Sequence, residues 1–237
     1  MAYNYVSLVN EVNRRLNEVE LTSDNFANAK GFQGIVKDSI NSSLRDIYQS
    51  HYEWPFNHIL SEETMSVGQT RYAFPSDANT IDFDTFRIVE SSEFQNDTVR
   101  LKVISYDEYL QRFVAQEYSS QGALRGTPSM VFHASGNEFG VVPAPDQEYT
   151  MVYEYYRVPA DLEKYDDVPA VPERYRHTIV DGAMYHAYLF RSNEQAAGIS
   201  KSKFEEGIKR MRTTLINKYE YVRSTFSPAS SSFGRVA

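Results

Sequence analysis

The chain has 237 residues, 0 cysteines and a formal net charge of −8. The lack of cysteine excludes disulfides, thiolate zinc sites, iron–sulfur clusters and a cysteine nucleophile. Residues 1–15 are polar and lack the apolar core of a signal peptide, and no run approaches the ~20 apolar residues of a membrane span. We therefore expect a protein made in the cytoplasm, large enough to bury a core without covalent cross-links.

Charge is divided unevenly along the chain. Residues 1–171 contain 13 basic and 26 acidic side chains, whereas residues 172–223 contain 10 basic and 6 acidic ones. Because duplex-DNA binding depends strongly on cations that neutralise phosphates, the overall acidity disfavours a sequence-specific DNA binder. Regions of opposite sign can help subunits or partners find each other, although an ordinary solvated helix surface would give the same counts.

The first part of the sequence has the apolar spacing of two helices. Apolar residues recur at helical spacing over 3–20, where Val19 belongs to the apolar face, and again over 32–48. The second helix is expected to stop at Trp54-Pro55, since proline disfavours a helical residue before it and cannot continue the hydrogen-bond ladder. Trp54, the only tryptophan, is predicted to pack at the base of these helices.

From about residue 58 to 162 the pattern changes to short alternating runs separated by turn residues. This pattern predicts an antiparallel sandwich or partial barrel. The alternation over 149–156 places half of its aromatic side chains inward. One helix is predicted within this region because Ser105-Tyr-Asp-Glu108 forms a capping box, and the stretch over 119–128 is predicted to be a mobile loop.

The helical period returns near the end of the chain. A helix is predicted to begin at Pro172, a favourable first-turn residue, and to run to about residue 191. A last helix uses the apolar residues Phe204, Ile208, Met211, Leu215, Tyr219 and Val222. Residues 224–237 are rich in serine and poor in apolar side chains, which predicts a flexible C-terminal tail.

These elements predict an α+β fold in which an antiparallel helical bundle, formed by both chain ends, carries an inserted antiparallel β-sandwich or barrel-like domain. The bundle comprises residues 1–57 and 172–223, and the inserted β domain with one short helix comprises residues 58–171. The helices at each end of the chain are amphipathic and cannot bury their apolar faces alone, so the two sets of helices should pack together. Two independent domains in series, the alternative, would leave the first two helices little to pack against.

The sequence contains no motif for nucleotide binding, serine nucleophiles or zinc hydrolysis. His177 and Asp181 lie one helical turn apart, but helical angles put His186 on a different face, so a three-ligand site fails geometrically. We expect no metal, no cofactor and no catalytic residue.

Paired carboxylates are the remaining enzymatic signal. Asp82/Asp84 and Asp166/Asp167 could imitate a glycosidase pair, but both lie in turn-like sequence, where aspartate commonly bonds to nearby backbone. Arg210-Met-Arg212 could belong to a nucleic-acid groove, yet Glu205-Glu206 and Lys209-Arg210 predict ion pairs on a solvated helix instead.

Several segments in order resemble the head-to-tail adaptor proteins of tailed bacteriophages, also called connector, tail tubular or head-completion proteins. The resemblance covers most of residues 8–190. It rests on residues 11–21 and 31–47, on Glu53-Trp-Pro-Phe56, Gly126-Thr-Pro128 and Val142-Pro-Ala-Pro-Asp146, on residues 149–156, and on Val171-Pro-Glu-Arg-Tyr-Arg-His-Thr-Ile-Val-Asp-Gly-Ala183.

The resemblance implies a non-enzymatic virion protein at the head–tail junction. It implies a homo-oligomeric ring of about twelve copies below the portal protein, contacting a downstream tail or nozzle protein and letting DNA pass as non-specific cargo, without contact to a membrane. By the same analogy the portal-binding residues are Phe226, Pro228, Phe233 and Arg235 in the tail.

Two other functions remain open from the sequence. The first is a tail-associated carbohydrate- or receptor-binding module, which would need a platform of exposed aromatic side chains in the β domain. The second is a carboxylate-dependent hydrolase, which would need two carboxylates facing each other across a cleft.

Overall fold

The computed structural model describes residues 3–91, 96–117 and 125–216. Its helices are α1 (Tyr5–Arg15), α2 (Ser23–Phe26), α3 (Phe32–Ser50), α4 (Tyr106–Arg112), α5 (Val114–Glu117), α6 (Arg176–Phe190) and α7 (Glu194–Leu215). Its strands are β1 (His58–Met65), β2 (Arg71–Ala73), β3 (Ala78–Ser91), β4 (Asn96–Arg100), β5 (Lys102–Val103), β6 (Met130–Ala134), β7 (Glu138–Val142) and β8 (Tyr149–Arg157). The structure confirms a mixture of helices with two mainly antiparallel sheets. Within the described ranges, no helix is both long and apolar enough to cross a membrane.

The first helix is shorter than the apolar pattern predicts. It ends at Arg15, and Asn17 adopts a left-handed backbone with φ of 55°. The backbone N–H groups of Asn17 and Glu18 then donate to the last helical carbonyls at 3.2 and 2.8 Å, which closes the helix in a Schellman turn. The prediction that Val19 belongs to the apolar face of this helix is therefore wrong, and its side chain is 75% exposed.

Trp54 packs at the base of α3, as predicted. Its side chain is 0% exposed, its indole Nε1 donates to the carbonyl oxygen of Ile47 at 2.8 Å, and its ring stacks on Phe56. The following Pro55–Asn57 turn is a single 3-10 turn that leads directly into β1. The corner therefore ties the end of α3 to the first strand.

The β segment forms two four-stranded sheets that face each other. The strand order is β1-β8-β3-β4 in one sheet and β2-β7-β6-β5 in the other. Phe86 from the first sheet lies 5.3 Å, between ring centroids, from Phe139 of the second, and both are fully buried. The two sheets thus share one aromatic core, as expected for a sandwich.

One strand pair departs from the antiparallel prediction. The short strand β5 pairs with β6 in parallel, with Lys102 opposite Met130 and Val103 opposite Val131. The reason is the connection between them, because α4 and α5 intervene and a helical crossover returns the chain in the same direction. The ring of Tyr109 from α4 packs at 3.9 Å from that of Phe132, which covers the outer side of this pair.

Helices from both parts of the sequence share a second hydrophobic core. Side chains of α1, α3, α6 and α7 contribute to it, including Leu8, Ile40, Ile179 and Phe204. The hydroxyl of Ser43 on α3 donates to the carbonyl oxygen of Ile179 on α6 at 2.9 Å, so these two helices approach closely. The predicted residues Tyr219 and Val222, the tail over 224–237 and part of the loop over 119–128 lie outside the described residues.

Replacing Gly182 with alanine is expected to lower the free energy of unfolding by about 1–3 kcal/mol, because overpacking forces neighbouring groups apart. A Cβ atom at this position would lie 2.2 Å from the Ser43 Oγ and 2.7 Å from the Phe204 ring, so α3, α6 and α7 would have to separate. The measurement is a urea titration followed by circular dichroism.

Gly198 is the matched control for this prediction. It lies inside α7, and a Cβ atom added there would meet no other group within 4 Å, so Gly198→Ala should raise stability by about 0.5–1 kcal/mol through helix propensity. Equal effects of the two substitutions would contradict the close approach of the three helices.

Candidate functional site

The histidines and aspartates of α6 face different neighbours. The Asp181 carboxylate pairs with Arg15 at 3.0 Å, and His177 is largely exposed, 3.8 Å from Glu11. His186 instead faces α3, where its Nε2 lies 3.1 Å from an Asp46 carboxylate oxygen. The predicted separation of His186 is confirmed, and among the described residues no group of three possible ligands forms a metal site.

One carboxylate of each aspartate pair bonds to nearby backbone, as predicted. The Asp82 carboxylate accepts the backbone N–H of Asp84 at 3.1 Å. The Asp167 carboxylate accepts the backbone N–H groups of Glu163 and Lys164, each at 2.7 Å, and these bonds lower the pKa of Asp167. The Asp167 carboxylate therefore shapes a turn, whereas Asp82 bonds within β3 and the Asp84 carboxylate pairs with Arg100 at 2.7 Å.

The aromatic side chains of β8 point mainly into the sandwich. Tyr149, Tyr153 and Tyr155 are buried in the shared core, and Tyr156 stacks on His58. Tyr149, Tyr153 and Tyr155 are therefore not available for an exposed aromatic platform.

The open edge of the first sheet carries a half-buried charge. Strand β1 is an edge strand, and Glu63 lies opposite Met151, whose side chain is fully buried, so the Glu63 carboxylate faces inward. Burial raises the pKa of Glu63. An inward charge on an edge strand opposes the addition of another strand, so this edge is a poor candidate for assembly.

A polar cleft opens between α6 and α7 on the basic part of the chain. Its volume is about 460 Å³, and its walls include Arg174, Tyr175, Asp181, Lys203, Glu206 and Arg210. Three of these form ion pairs: Asp181 with Arg15 of α1, and Glu206 with Arg210 along α7. Arg174 and Lys203 make no ion pair with any residue that the structure describes, and the Tyr175 hydroxyl is buried without a hydrogen-bond partner there. We call this the α6–α7 cleft.

An acidic loop over residues 161–168 covers the outer side of α3 and the start of α1. Its charged residues are Asp161, Glu163, Lys164, Asp166 and Asp167. Asn41 of α3 clamps Leu162 with two bonds, donating to its carbonyl at 3.0 Å and accepting its N–H at 3.1 Å. The backbone carbonyls of Tyr165 and Asp167 accept the first N–H groups of α1, at 3.0 and 2.8 Å. The loop is therefore firmly held.

Most side chains of the acidic loop are exposed. Asp161 pairs with Arg45, which lowers the pKa of Asp161. Glu163 and Asp166 form no ion pair with a residue in the described ranges and are exposed. The side chains of Tyr165 and Val168 are 43% and 63% exposed beside them. The loop thus presents carboxylates next to apolar area, as interaction surfaces do.

Neither surface was recognised in the sequence. Asn41 is the one sequence feature that could indicate a docked loop. It is a polar residue among the apolar positions of α3, next to Ile40 and near Leu44. The predicted portal-binding residues Phe226, Pro228, Phe233 and Arg235 lie outside the described residues.

The described surface therefore includes an ordered acidic loop, a polar cleft and an edge strand with an inward charge. The model of the SU10 adaptor protein family matches residues 3–229, and the chain belongs to this family. The predicted phage adaptor is confirmed, and the family implies a structural, non-enzymatic virion component that interacts with other head and tail proteins. No curated protein matches the chain in a sequence comparison.

Proposed function

We propose that the chain forms a homo-oligomeric ring that joins the portal vertex of a phage capsid to the tail and lets DNA pass. The observation that carries the proposal is the family match over residues 3–229. The ring contains about twelve copies and sits at the head–tail junction, between the portal protein and a downstream tail or nozzle protein.

The proposed ring unit is an antiparallel helical bundle of residues 1–57 and 172–223 with the β domain of residues 58–171 inserted. The shared helical core supports this arrangement, because it combines side chains from α1 and α3 with side chains from α6 and α7. The two sheets then form a separate body attached at the Trp54 corner and at the acidic loop.

The overall charge of −8 suits a conduit for DNA. Phosphates are held by clustered cations, so a lumen without them lets the duplex slide. A channel lined by positive potential would contradict this part of the proposal.

The test is electron microscopy of the purified protein mixed with its cognate portal protein. We expect rings stacked coaxially on the portals. Free monomers that persist at micromolar concentrations of both proteins would refute the proposal.

The tail residues are tested in the same mixture. Replacing Phe226 and Phe233 with alanine should lower the fraction of portals that carry a ring at least tenfold while leaving the circular dichroism spectrum unchanged. Ser230→Ala is the matched control and should leave occupancy unchanged. If the double variant occupies as many portals as the unmodified protein, Phe226 and Phe233 do not form the portal contact.

A further inference from the structure

The acidic loop packs against α3 and the start of α1, whereas the cleft lies between α6 and α7. Ser43 faces α6, because its hydroxyl bonds to the carbonyl of Ile179. Asn41 and Arg45, which hold the loop, are each two residues from Ser43. Two residues turn an α-helix by about 200°, so the loop covers the face of α3 that points away from α6.

The angles of residues around α6 give the position of the cleft relative to α3. Ile179 faces α3, and Asp181, two residues further along α6, lines the cleft. Asp181 lies about 100° around α6 from Gly182, the residue that meets Ser43 of α3, so the cleft is on a different side of α6 from α3. The loop does not line the cleft of its own chain, whereas a rotation can bring the loop of one copy to the cleft of the next.

Charge makes the two faces complementary. The loop offers the exposed carboxylates of Glu163 and Asp166, and the cleft offers the cations of Arg174 and Lys203.

The loop is also ordered before any contact forms. Backbone bonds to Asp167 and the Asn41 clamp hold its shape, so little conformational entropy is lost when it docks. The exposed side chains of Tyr165 and Val168 add apolar area that a neighbour would bury.

We infer that the acidic loop of one copy docks into the α6–α7 cleft of the next copy, and that this head-to-tail contact closes the ring. The contact joins two different surfaces, as a heterologous interface requires. The inference rests on the proposed ring and adds the surfaces through which its subunits meet.

Because the chain has 0 cysteines, a pair of introduced cysteines reports the contact without background. We would combine Asp166→Cys with Lys203→Cys, assemble the variant on the cognate portal and treat it with a short bis-maleimide. We expect a ladder of covalent oligomers on a denaturing gel. The matched control combines Asp84→Cys, an exposed site in the β segment, with Lys203→Cys and should give at least tenfold less cross-linked product.

The outcomes separate this inference from the proposed function. Rings seen by electron microscopy whose cross-linking does not exceed the control would overturn the loop–cleft contact and leave the ring standing. Failure of the unmodified protein to form any ring with the portal would overturn both.

A charge exchange gives an independent test. Glu163→Lys with Asp166→Lys should reduce ring formation at least tenfold, and so should Arg174→Glu with Lys203→Glu. The variant that carries all four substitutions should recover ring formation, because a positively charged loop then meets a negatively charged cleft. Full assembly of either double variant would refute the contact.

Discussion

Replacing Trp54 with alanine is expected to lower the free energy of unfolding by about 3–5 kcal/mol, the usual cost of emptying a large aromatic site. The Trp54 side chain is 0% exposed, stacks on Phe56 and donates its indole N–H to the carbonyl of Ile47. The substitution leaves a cavity at the point where α3 passes into β1 and removes one of the two side-chain hydrogen bonds to the Ile47 carbonyl, the other being from the Ser50 hydroxyl at 2.7 Å. Urea denaturation followed by circular dichroism measures the loss.

Two variants show which part of the effect comes from burial. Trp54→Phe keeps most of the apolar volume and loses the hydrogen bond, so its cost should be smaller, about 1–2 kcal/mol. Tyr52→Ala removes an aromatic ring two residues away that is 58% exposed, and its effect should stay within about 0.5 kcal/mol. A Trp54→Ala effect no larger than that of Tyr52→Ala would mean that the corner contributes little to the core.

The class and order of the elements follow from periodicity in the sequence. Strand β8 alternates so regularly that its buried residues, Tyr149, Met151, Tyr153 and Tyr155, could be assigned in advance. The N-cap at Ser105 also follows from local chemistry, because its hydroxyl accepts the backbone N–H of Glu108, whereas α3 ends at Ser50, before the predicted stop at Trp54-Pro55. Local rules suffice where the determining atoms are close in sequence.

Two predictions were wrong because the contact that decides the structure leaves no trace in the hydrophobic pattern of the sequence. Val19 continues the apolar period of α1, but the left-handed turn at Asn17 ends the helix first. The β5–β6 pair is parallel because of the crossover through α4, and a pattern of strand lengths carries no information on direction. Both cases are decided by chain path, which periodicity does not encode.

The candidate assembly surfaces depend on partners far apart in the sequence. The excess of cations over 172–223 was visible, but it could not show which cations are used internally. Asp181 is neutralised by Arg15, which is 166 residues away, whereas Arg174 and Lys203 line the cleft without an ion pair to a described residue. Only the tertiary structure distinguishes a paired charge from one that is available to a neighbour.

Asn41→Leu is expected to lower the free energy of unfolding by about 2–4 kcal/mol, because it leaves a buried N–H and a buried carbonyl of Leu162 without partners. The substitution fits the volume of the site but cannot donate or accept a hydrogen bond. It should also release the acidic loop from α3, and the amide of Leu162 should exchange with solvent faster than in the unmodified protein. Denaturation and hydrogen exchange measure the two effects.

Asn10 offers a matched control, because it clamps Leu21 in the same way, with its side-chain amide donating at 2.8 Å and accepting at 2.7 Å. Asn10 is only half-buried, so water can replace the lost bonds and Asn10→Leu should cost about 1 kcal/mol or less. If the loop docks into a neighbouring cleft, Asn41→Leu should also slow ring formation on the portal, because a loosened loop must be ordered as it binds. A ring that forms as fast with Asn41→Leu as with Asn10→Leu, despite faster exchange at Leu162, would show that the loop does not take part in assembly.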